Sequence, residues 1–446
     1  MFIIADDITG AAEMAGIAHR LGFSAHLQLC SPSSNTHHLS PNTQQLLPPP
    51  STGRGRGWVS ILATDTRGIN EEEAVAETKR ITTNLSIASP SRGRLEGWGG
   101  EIASPSRGRL EGAFKKTDSA LRGHVVAELA ALMESMGYRR AVYMPANPSK
   151  DRIIKDGVYL IKGVPIHETA FSYDPEFPAK TSVLRERFPD AENHHIIMPD
   201  AETLDDICHI VETYNDGHTL FAGAADLFEA WLKKRPTPTL PKGGGKDGGV
   251  GGMEWRNSLP SSPSLWEGWG GVIGGGFLLL CGSTQSKPLD LGIPEYPMPR
   301  AVYDGQAPVS SWIEEIKEGP AGAILSFGTN THRTGKDAAV YLRNAMAEAA
   351  TAFINTHHPQ EIVIEGGATA FCLLNRLGWH HFRITNEIAP GVVRMQLTSL
   401  NPQPSTINRQ PSTVNRQPST VNPQPSSPSN QAAILGVIYG RSCDTF

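Results

Sequence analysis

The sequence opens with MFIIADDITGAAEMAG (residues 1–16), a short apolar run followed by two aspartates and a small-residue stretch with helical spacing. The apolar run predicts a buried strand, and the stretch from residue 8 predicts a helix. Asp6 and Asp7 stand where strand gives way to helix, Thr9 suits a helix cap, and Gly10 lets a ligand approach the backbone. The segment therefore predicts a strand that leads directly into a helix.

The same order recurs along the chain. Apolar runs at 139–146, 219–223, 277–283, 321–328 and 361–367 alternate with helical patterns, of which 224–234, 337–353 and 368–378 are the clearest. Strands alternating with helices predict an α/β fold of two domains, each a mostly parallel sheet flanked by helices. Ligands bind at the carboxyl ends of such strands, so the residues that follow each apolar run are the candidates for chemistry.

Low-complexity stretches interrupt this pattern. IASPSRGRLEG occurs twice, from Ile87 and from Ile102, and a QPST repeat recurs from Gln403. Neither repeat has a period that could bury an apolar face, so both predict loop inserts rather than structural repeats. We predict a first domain at 1–232 with inserts near 33–57 and 86–112, a linker at 233–272, and a second domain at 273–446 with a disordered insert near 398–430.

Composition excludes several classes of protein. The net charge is −5 with no basic stripe, which argues against a nucleic-acid partner. No run of about 18 apolar residues is present to span a membrane, and the acidic start does not resemble a secretory signal. The 5 cysteines are scattered without CxxC spacing, so neither a disulfide framework nor a zinc site is expected. These features predict a cytoplasmic protein.

Three groups of polar residues in the first domain are candidates for a site. Asp6 and Asp7 could bind a polyol hydroxyl or a magnesium ion, and Asp65 with Arg67 could clamp a carboxylate. In KKTDSALRG, Lys116 and Arg122 could hold the anionic end of a sugar acid while Asp118 accepts a proton. Helix capping, surface ion pairs and a solvated helix start explain the same residues equally simply, and that alternative stays open.

In the second domain, small residues follow the apolar runs. Ser283, the turn Gly366–Thr369 and Gly391 could bring backbone N–H groups to phosphate oxygens at a helix N-terminus. The chain has no GxxxxGK[ST] motif, and tight strand-to-helix turns are the competing explanation. Residues 145–180 lie between the motifs of the first domain and those of the second, and contain two turn signals, DG and KG. These signals predict a hairpin arm, with either a structural role or a contact in a homodimer.

IADDITGAAEMAG, TDTRG, KKTDSALRG, the arm at 145–180, IVIEGGATA and NEIAPGVV, in this order, resemble the four-carbon acid sugar kinase family. The resemblance implies ATP and Mg²⁺ as cofactors and transfer of phosphate to the terminal hydroxyl of a tetronate or 3-oxo-tetronate. It places the sugar acid in the first domain and ATP in the second. It implies catalytic roles for Asp118 and Asp7, and substrate contacts from Asp6, Asp65, Arg67, Lys116, Ser119 and Arg122.

On the nucleotide side the resemblance implies contacts from Ser283, Gly366, Gly367, Ala368, Thr369 and Gly391. Ala368 stands where the family usually has an acidic residue, Gln285 stands where a small hydroxyl residue is common, and the terminal nucleotide loop is missing. These departures keep open the alternative of a catalytically impaired relative that only binds sugar acid or nucleotide. A second alternative is a sugar-acid isomerase or lyase that uses the Asp and Lys residues without ATP.

Overall fold

The structure is a computed structural model that describes residues 1–30, 57–88, 112–174, 177–235, 276–282, 292–317, 322–330, 332–333, 335–398 and 434–438. Most of the predicted inserts and the linker lie outside these residues, as does Ser283. The predictions made for them therefore stay predictions.

The first half of the chain contains ten strands and six α-helices among the residues described. In chain order these are β1 (Phe2–Ala5), α1 (Ile8–Arg20), β2 (Ser24–Leu29), β3 (Trp58–Ala63), α2 (Glu71–Ala88), β4 (Ala113–Lys116), α3 (Val125–Met136), β5 (Arg140–Met144), β6 (Arg152–Lys155), β7 (Val158–Ile161), β8 (Val164–Pro165), α4 (Leu184–Arg187), β9 (Ile196–Ile197), α5 (Leu204–Tyr214), β10 (Thr219–Gly223) and α6 (Ala225–Lys233).

The second half continues the strand-to-helix alternation. Its elements are β11 (Phe277–Cys281), β12 (Glu295–Pro297), α7 (Arg300–Tyr303), α8 (Val309–Lys317), β13 (Gly322–Ser326), α9 (Lys336–His357), β14 (Glu361–Glu365), α10 (Gly367–Arg376), β15 (His381–Ala389), β16 (Val392–Leu397) and β17 (Ile434–Ile438). Every strand-to-helix pair predicted from the apolar runs is present. The α/β fold with mostly parallel sheets flanked by helices is confirmed.

The strands of both halves form one continuous sheet. Within the described residues it has 14 strands in the order β12-β13-β11-β14-β17-β16-β15-β2-β3-β1-β4-β10-β5-β9. Pairing is parallel within each half except around β15 and β16, and the halves join where β15 runs antiparallel to β2, with Phe382 opposite Leu27. This junction between the halves was not predicted from the sequence.

Helix α1 is buried along most of its length, and its small residues explain why. Ala11, Ala12, Ala15 and Ala18 have no exposed surface, and α1 contacts β2 and β3 on one side and the hairpin of β15 and β16 on the other. Side chains of one carbon let the helix approach the sheet closely where β15 pairs with β2. The AAEMAGIA pattern thus positions the first helix between the two halves.

The predicted hairpin arm is a separate three-stranded antiparallel sheet of β6, β7 and β8. Asp156 and Gly157 form the first turn and Lys162 and Gly163 the second, all four with positive φ. Paired positive φ values are what tight two-residue hairpin turns require. The DG and KG signals therefore predicted both turns correctly.

We expect removal of Gln403–Ser429 to leave the fold intact. Strands β16 and β17 are antiparallel neighbours with Gln396 opposite Ile434, so a short connection is enough to join them. Shortening the connection should raise the free energy of unfolding by about 1 kcal/mol through lower loop-closure entropy. Urea unfolding of the shortened and full-length proteins measures this, and insoluble or expanded shortened protein would contradict it.

Candidate active site

The carboxylates that follow β1 are held by one arginine. Arg67 Nε and Nη2 donate to Asp6 Oδ2 at 3.1 and 3.0 Å, and Arg67 Nη1 lies 3.0 Å from Asp7 Oδ2. Asp7 also caps α1, because its Oδ1 accepts a hydrogen bond from Gly10 N at 2.6 Å. The parallel pairing of β1 with β3 places both aspartates beside the TRG turn that carries Arg67. Capping and ion pairing thus coexist in these residues.

Asp6 is more deeply buried than Asp7. Its side chain is 4% exposed, and its Oδ1 has no hydrogen-bond partner among the described residues. Burial raises the pKa of Asp6 above its usual range, although Arg67 opposes that shift. Asp7, with 22% of its side chain exposed, is the aspartate of this pair that a bound molecule can reach.

Asp118 organises the loop that follows β4. Its Oδ2 accepts hydrogen bonds from Ala120 N and Arg122 Nε at 3.0 and 2.8 Å, and its Oδ1 accepts one from Arg122 Nη2 at 3.0 Å. Within this loop Leu121 has a φ of 63°, a strained conformation for a bulky residue. Burial alone would raise the pKa of Asp118, but Arg67 and Arg122 outweigh it and hold that pKa well below its usual range.

The two lysines at the end of β4 have different partners. Lys115 forms a buried ion pair with Glu128, to which Thr66 Oγ1 also donates at 3.3 Å. Lys116 Nζ donates to Thr117 O at 2.7 Å and lies 3.6 Å from Glu13 Oε2. Lys115 therefore ties helix α3 to the sheet, whereas Lys116 faces α1.

Glu13 is a site residue that the sequence analysis missed. It is 6% exposed, and its Oε1 accepts a hydrogen bond from Lys150 Nζ at 2.7 Å. Burial would raise the pKa of Glu13, but Lys116 and Lys150 lower it overall. The available signal was a single acidic residue inside an otherwise small and apolar helix, a position that requires a buried cation.

The arm packs directly on the Asp118 loop. Ser119 Oγ accepts a hydrogen bond from Arg152 of β6, and Ser119 O accepts one from Tyr159 Oη of β7 at 2.5 Å. Arg122 Nη1 lies 3.4 Å from Asp174, just beyond the arm's last strand. The arm thus has the predicted structural role, and Ser119 serves as its anchor. Its role as a dimer contact stays a prediction.

Asp65 lies two residues after β3, at the start of the TRG turn, in a left-handed conformation with a φ of 53°. Burial raises the pKa of Asp65 to about 6, with Arg343 of α9 the main opposing charge. No hydrogen bond to its carboxylate is made by the described residues. Asp65 therefore keeps its proton to a higher pH than an exposed aspartate does.

The glycine turn of the second half begins α10. Gly366 caps the helix with a φ of 97°, and the N–H groups of Gly367, Ala368 and Thr369 have no acceptor among the described residues. Three open N–H groups at a helix N-terminus are suited to phosphate oxygens. Gly282, at the end of β11, packs here too, because a Cβ atom on it would lie 2.4 Å from Thr369 Oγ1.

The two helix N-termini meet. A Cβ atom built on Gly367 would lie 2.0 Å from Thr9 Oγ1, so only glycine allows α10 to approach α1 this closely. Nearby, Lys336 Nζ of α9 lies within hydrogen-bonding distance of Gly68 O, at 3.4 Å. The predicted sugar-acid residues of the first half and the glycine turn of the second half therefore face one junction, hereafter the junction site.

Gly391 does not belong to the glycine turn that begins α10. It belongs to the turn between β15 and β16 and lines a cavity of 350 Å³ together with Glu13 and Lys150, but not with Gly366. Its predicted nucleotide contact stays a prediction, and the structure does not bring it together with the glycine turn.

A magnesium ion held by Asp6 and Asp7 does not fit this arrangement. Arg67 contacts both carboxylates and occupies an oxygen of each, and no cluster of three metal-ligating side chains occurs in the part of the chain that the structure describes. A metal held only by protein carboxylates is thus not supported at this position.

Comparison with known proteins connects this geometry to a family. Residues 1–215 match the model of the sugar-binding N-terminal domain. The chain is 27% identical over 186 residues to the D-threonate kinase of Salmonella typhimurium, an alignment that covers 42% of this chain and 35% of that relative. It is 25% identical over 195 residues to the D-erythronate kinase of Heliobacterium modesticaldum, covering 44% of this chain and 36% of that protein.

Over its first half this chain is similar to four-carbon acid sugar kinases. The resemblance inferred from the motifs is confirmed, and the domain model covers every residue predicted on the sugar-acid side of the junction site. The chain aligns with only about a third of the length of each curated kinase relative.

Solved structures support the fold of this chain. A Haemophilus influenzae protein of the DUF1537 family superposes with a TM-score of 0.55 at 16% identity, covering 89% of this chain and 93% of that one. A Salmonella typhimurium protein provisionally described as a tRNA synthase superposes with a TM-score of 0.59 at 12% identity, covering 98% and 95%. At these identities the likeness concerns the fold alone. No helix in the described ranges is both long and apolar enough to cross a membrane.

We predict that Arg67→Gln lowers the free energy of unfolding by about 3–5 kcal/mol, because it leaves buried carboxylates without their cation. Arg67→Lys keeps the charge but loses the forked contact to Asp6, so its loss should be smaller. Urea unfolding at neutral pH measures both. Equal and small losses in the two variants would show that Arg67 does not hold this cluster together.

Asp65→Asn should stabilise the protein above about pH 6 and leave it unchanged near pH 4. The folded-state pKa of Asp65 is raised to about 6, so the folded state binds the proton more tightly and stability falls as pH rises through that range. Removing the charge should recover about 1–2 kcal/mol at neutral pH. Thermal unfolding against pH tests this, with the exposed Asp205→Asn as matched control. A pH-independent effect would contradict it.

Proposed function

We propose that this protein transfers a phosphoryl group from ATP to the terminal hydroxyl of a four-carbon sugar acid, a tetronate or 3-oxo-tetronate. The observation that carries the proposal is the junction site, where the carboxylate and arginine cluster faces the open N–H groups of α10 across the Thr9–Gly367 contact. Phosphoryl transfer requires an acceptor and a phosphate donor in adjacent sites, and positioning plus charge stabilisation supply most of the catalysis.

On the sugar-acid side we assign carboxylate binding to Arg122. Of the arginines in the cluster it is the more exposed, at 30% against 16% for Arg67. Asp118 holds its guanidinium through Nε and Nη2, which leaves Nη1 directed toward Asp174 and the solvent-facing side. A fixed guanidinium is well suited to a carboxylate. Lys116, the last residue of β4, contributes positive charge to this side of the site. Ser119 holds the arm through its hydrogen bonds with Arg152 and Tyr159.

Of the two aspartates predicted as catalytic, the geometry favours Asp7 as the residue that positions the acceptor hydroxyl. Asp118 is the less exposed of the two, at 11%, and Arg122 holds both of its oxygens, so we assign it the role of orienting that guanidinium. The oxygens of Asp7 also have partners, Gly10 N and Arg67 Nη1, so the choice rests on accessibility. Asp7 is partly exposed, at 22%, and begins the helix whose Thr9 contacts the glycine turn. Kinases require a positioned carboxylate rather than a strongly basic one.

ATP is assigned to the second half, with its phosphates at the first turn of α10. The open N–H groups of Gly367, Ala368 and Thr369 fit phosphate oxygens, and the glycines leave the backbone accessible. Mg²⁺, when bound with the nucleotide, would neutralise charge on the phosphates; Arg67 leaves the first-half carboxylates unsuited to hold it. We accordingly assign sugar-acid binding to 1–232 and nucleotide binding to 273–446.

The test measures ADP release with erythronate, threonate and their 3-oxo forms as substrates. Asp7→Asn should lower turnover by about 10²–10⁴-fold while ATP binding persists. Asp118→Asn should chiefly raise KM for the sugar acid, because Arg122 loses its orientation. The exposed Asp205→Asn serves as a matched control with unchanged kinetics.

Three outcomes would decide against parts of this assignment. Full activity of Asp7→Asn would remove Asp7 from its role. ATP binding without phosphate transfer to any of the sugar acids would favour a protein that only binds its ligands, consistent with Ala368 at the position of an acidic residue. Conversion of a sugar acid in the absence of ATP and Mg²⁺ would favour an isomerase or lyase.

A further inference from the structure

The carboxylate of Asp174, in the loop that follows β8, contacts the arginine to which we assign the carboxylate of the sugar acid. Asp174 Oδ2 lies 3.4 Å from Arg122 Nη1. Asp118 engages the other two nitrogens of that guanidinium, Nε and Nη2. Asp174 therefore occupies the side of Arg122 at which a bound carboxylate would have to be accepted.

The position of Asp174 is fixed by its own loop. Its Oδ1 accepts a hydrogen bond from Phe177 N at 2.8 Å, and its backbone N–H donates to Phe171 O at 3.3 Å. The ring of Phe177 in turn packs edge-on against His124, with the ring centroids 5.7 Å apart. One oxygen of Asp174 thus holds the loop together, and the other is the one that faces Arg122.

Arg122 is held less tightly by Asp174 than by Asp118. Asp118 makes two hydrogen bonds to the guanidinium, at 2.8 and 3.0 Å, whereas Asp174 makes one contact at 3.4 Å. Hydrogen bonds between an arginine and a carboxylate are normally about 2.7–2.9 Å long, so the longer contact is the weaker one. Of the two carboxylates, Asp174 is the one that an incoming anion can replace.

Two carboxylates at Arg122 Nη1 would repel each other. Arg122 is only 30% exposed and Asp174 only 16%, so water screens their charges incompletely. In the empty site Asp174 gives the guanidinium a second partner, which stabilises a partly buried cation. The same contact must be given up when a negatively charged ligand binds to that side of Arg122.

We propose, on the basis of the carboxylate site assigned above to Arg122, that Asp174 is an internal competitor of the sugar acid and sets its affinity. The carboxylate of the sugar acid takes the place of Asp174 Oδ2 at Nη1, while Oδ1 keeps its hydrogen bond with Phe177 N. Asp174 determines affinity and has no catalytic role, because it faces the carboxylate end of the ligand and not the terminal hydroxyl.

Asp174→Asn tests this by removing the charge and keeping an oxygen that can accept from Phe177 N. Calorimetric titration of the full-length protein with D-threonate and D-erythronate, without nucleotide, should show a Kd about fivefold lower in the variant. Erythritol, which has a hydroxymethyl group in place of the carboxylate of erythronate, should gain nothing. Glu168→Gln is the matched control: this acid of the same arm is 59% exposed and faces His167, so affinities should not change.

The Arg122→Gln background tests the competition itself. Without the guanidinium there is nothing to compete for, so Asp174→Asn should add no affinity there. Undetectable binding with and without Asp174→Asn in that background would equally support competition at Arg122. An equal gain in the two backgrounds would overturn the proposal.

Asp174→Ser provides a second variant, because a serine hydroxyl can also accept from Phe177 N, and it should reproduce the gain in affinity. Weaker binding of the sugar acids by both variants would overturn the proposal and make Asp174 a direct contact of the substrate. Tighter binding without ADP release in the kinase assay would support the competition and contradict phosphoryl transfer. ADP release with unchanged affinity would overturn the role of Asp174 alone, and no binding of either sugar acid to any form would overturn the carboxylate site together with its competitor.

Discussion

The pairing of Arg67 with the carboxylates of Asp6, Asp7 and Asp118 is the interaction on which the first half of the molecule depends. Asp6 and Asp7 follow β1, Asp118 follows β4, and Arg67 itself follows β3. The arginine therefore joins these three strands at the edge where parallel strands present their carboxyl ends. Without the cation, the like charges of the aspartates would repel one another in a region shielded from water. The same arrangement fixes where Asp7 begins α1 and how Arg122 is presented beside it.

Much of this could be predicted from the sequence because it is local. Apolar runs followed by helical spacing identified the strands and helices, and the turn residues of the arm identified its two hairpins. The candidate residues Asp6, Asp7, Arg67, Lys116, Asp118 and Arg122 were found because they follow apolar runs. Their placement at one sheet edge follows from parallel pairing alone.

What the sequence did not reveal depends on distant partners. Nothing local indicates that β15 pairs with β2, because that pairing joins segments more than three hundred residues apart. Glu13 looks like an ordinary polar position of α1 until Lys116 and Lys150 are known to surround it. Likewise, the sequence does not show that Arg122 occupies both oxygens of Asp118, the contact on which its proposed orienting role rests. Gly367 was attributed to phosphate access, whereas the structure also requires it for the contact with Thr9.

The antiparallel seam between β2 and β15 has a mechanical consequence. Many two-domain enzymes open by rotation about a flexible linker. Here main-chain hydrogen bonds between β2 and β15 join the two halves into one sheet. Separating Thr9 from Gly367 therefore means bending or twisting that sheet, with α1 packed against both sides of the seam. Opening the junction site would therefore deform the whole sheet elastically, and the stiffness of the sheet would govern how readily a bound molecule enters and leaves.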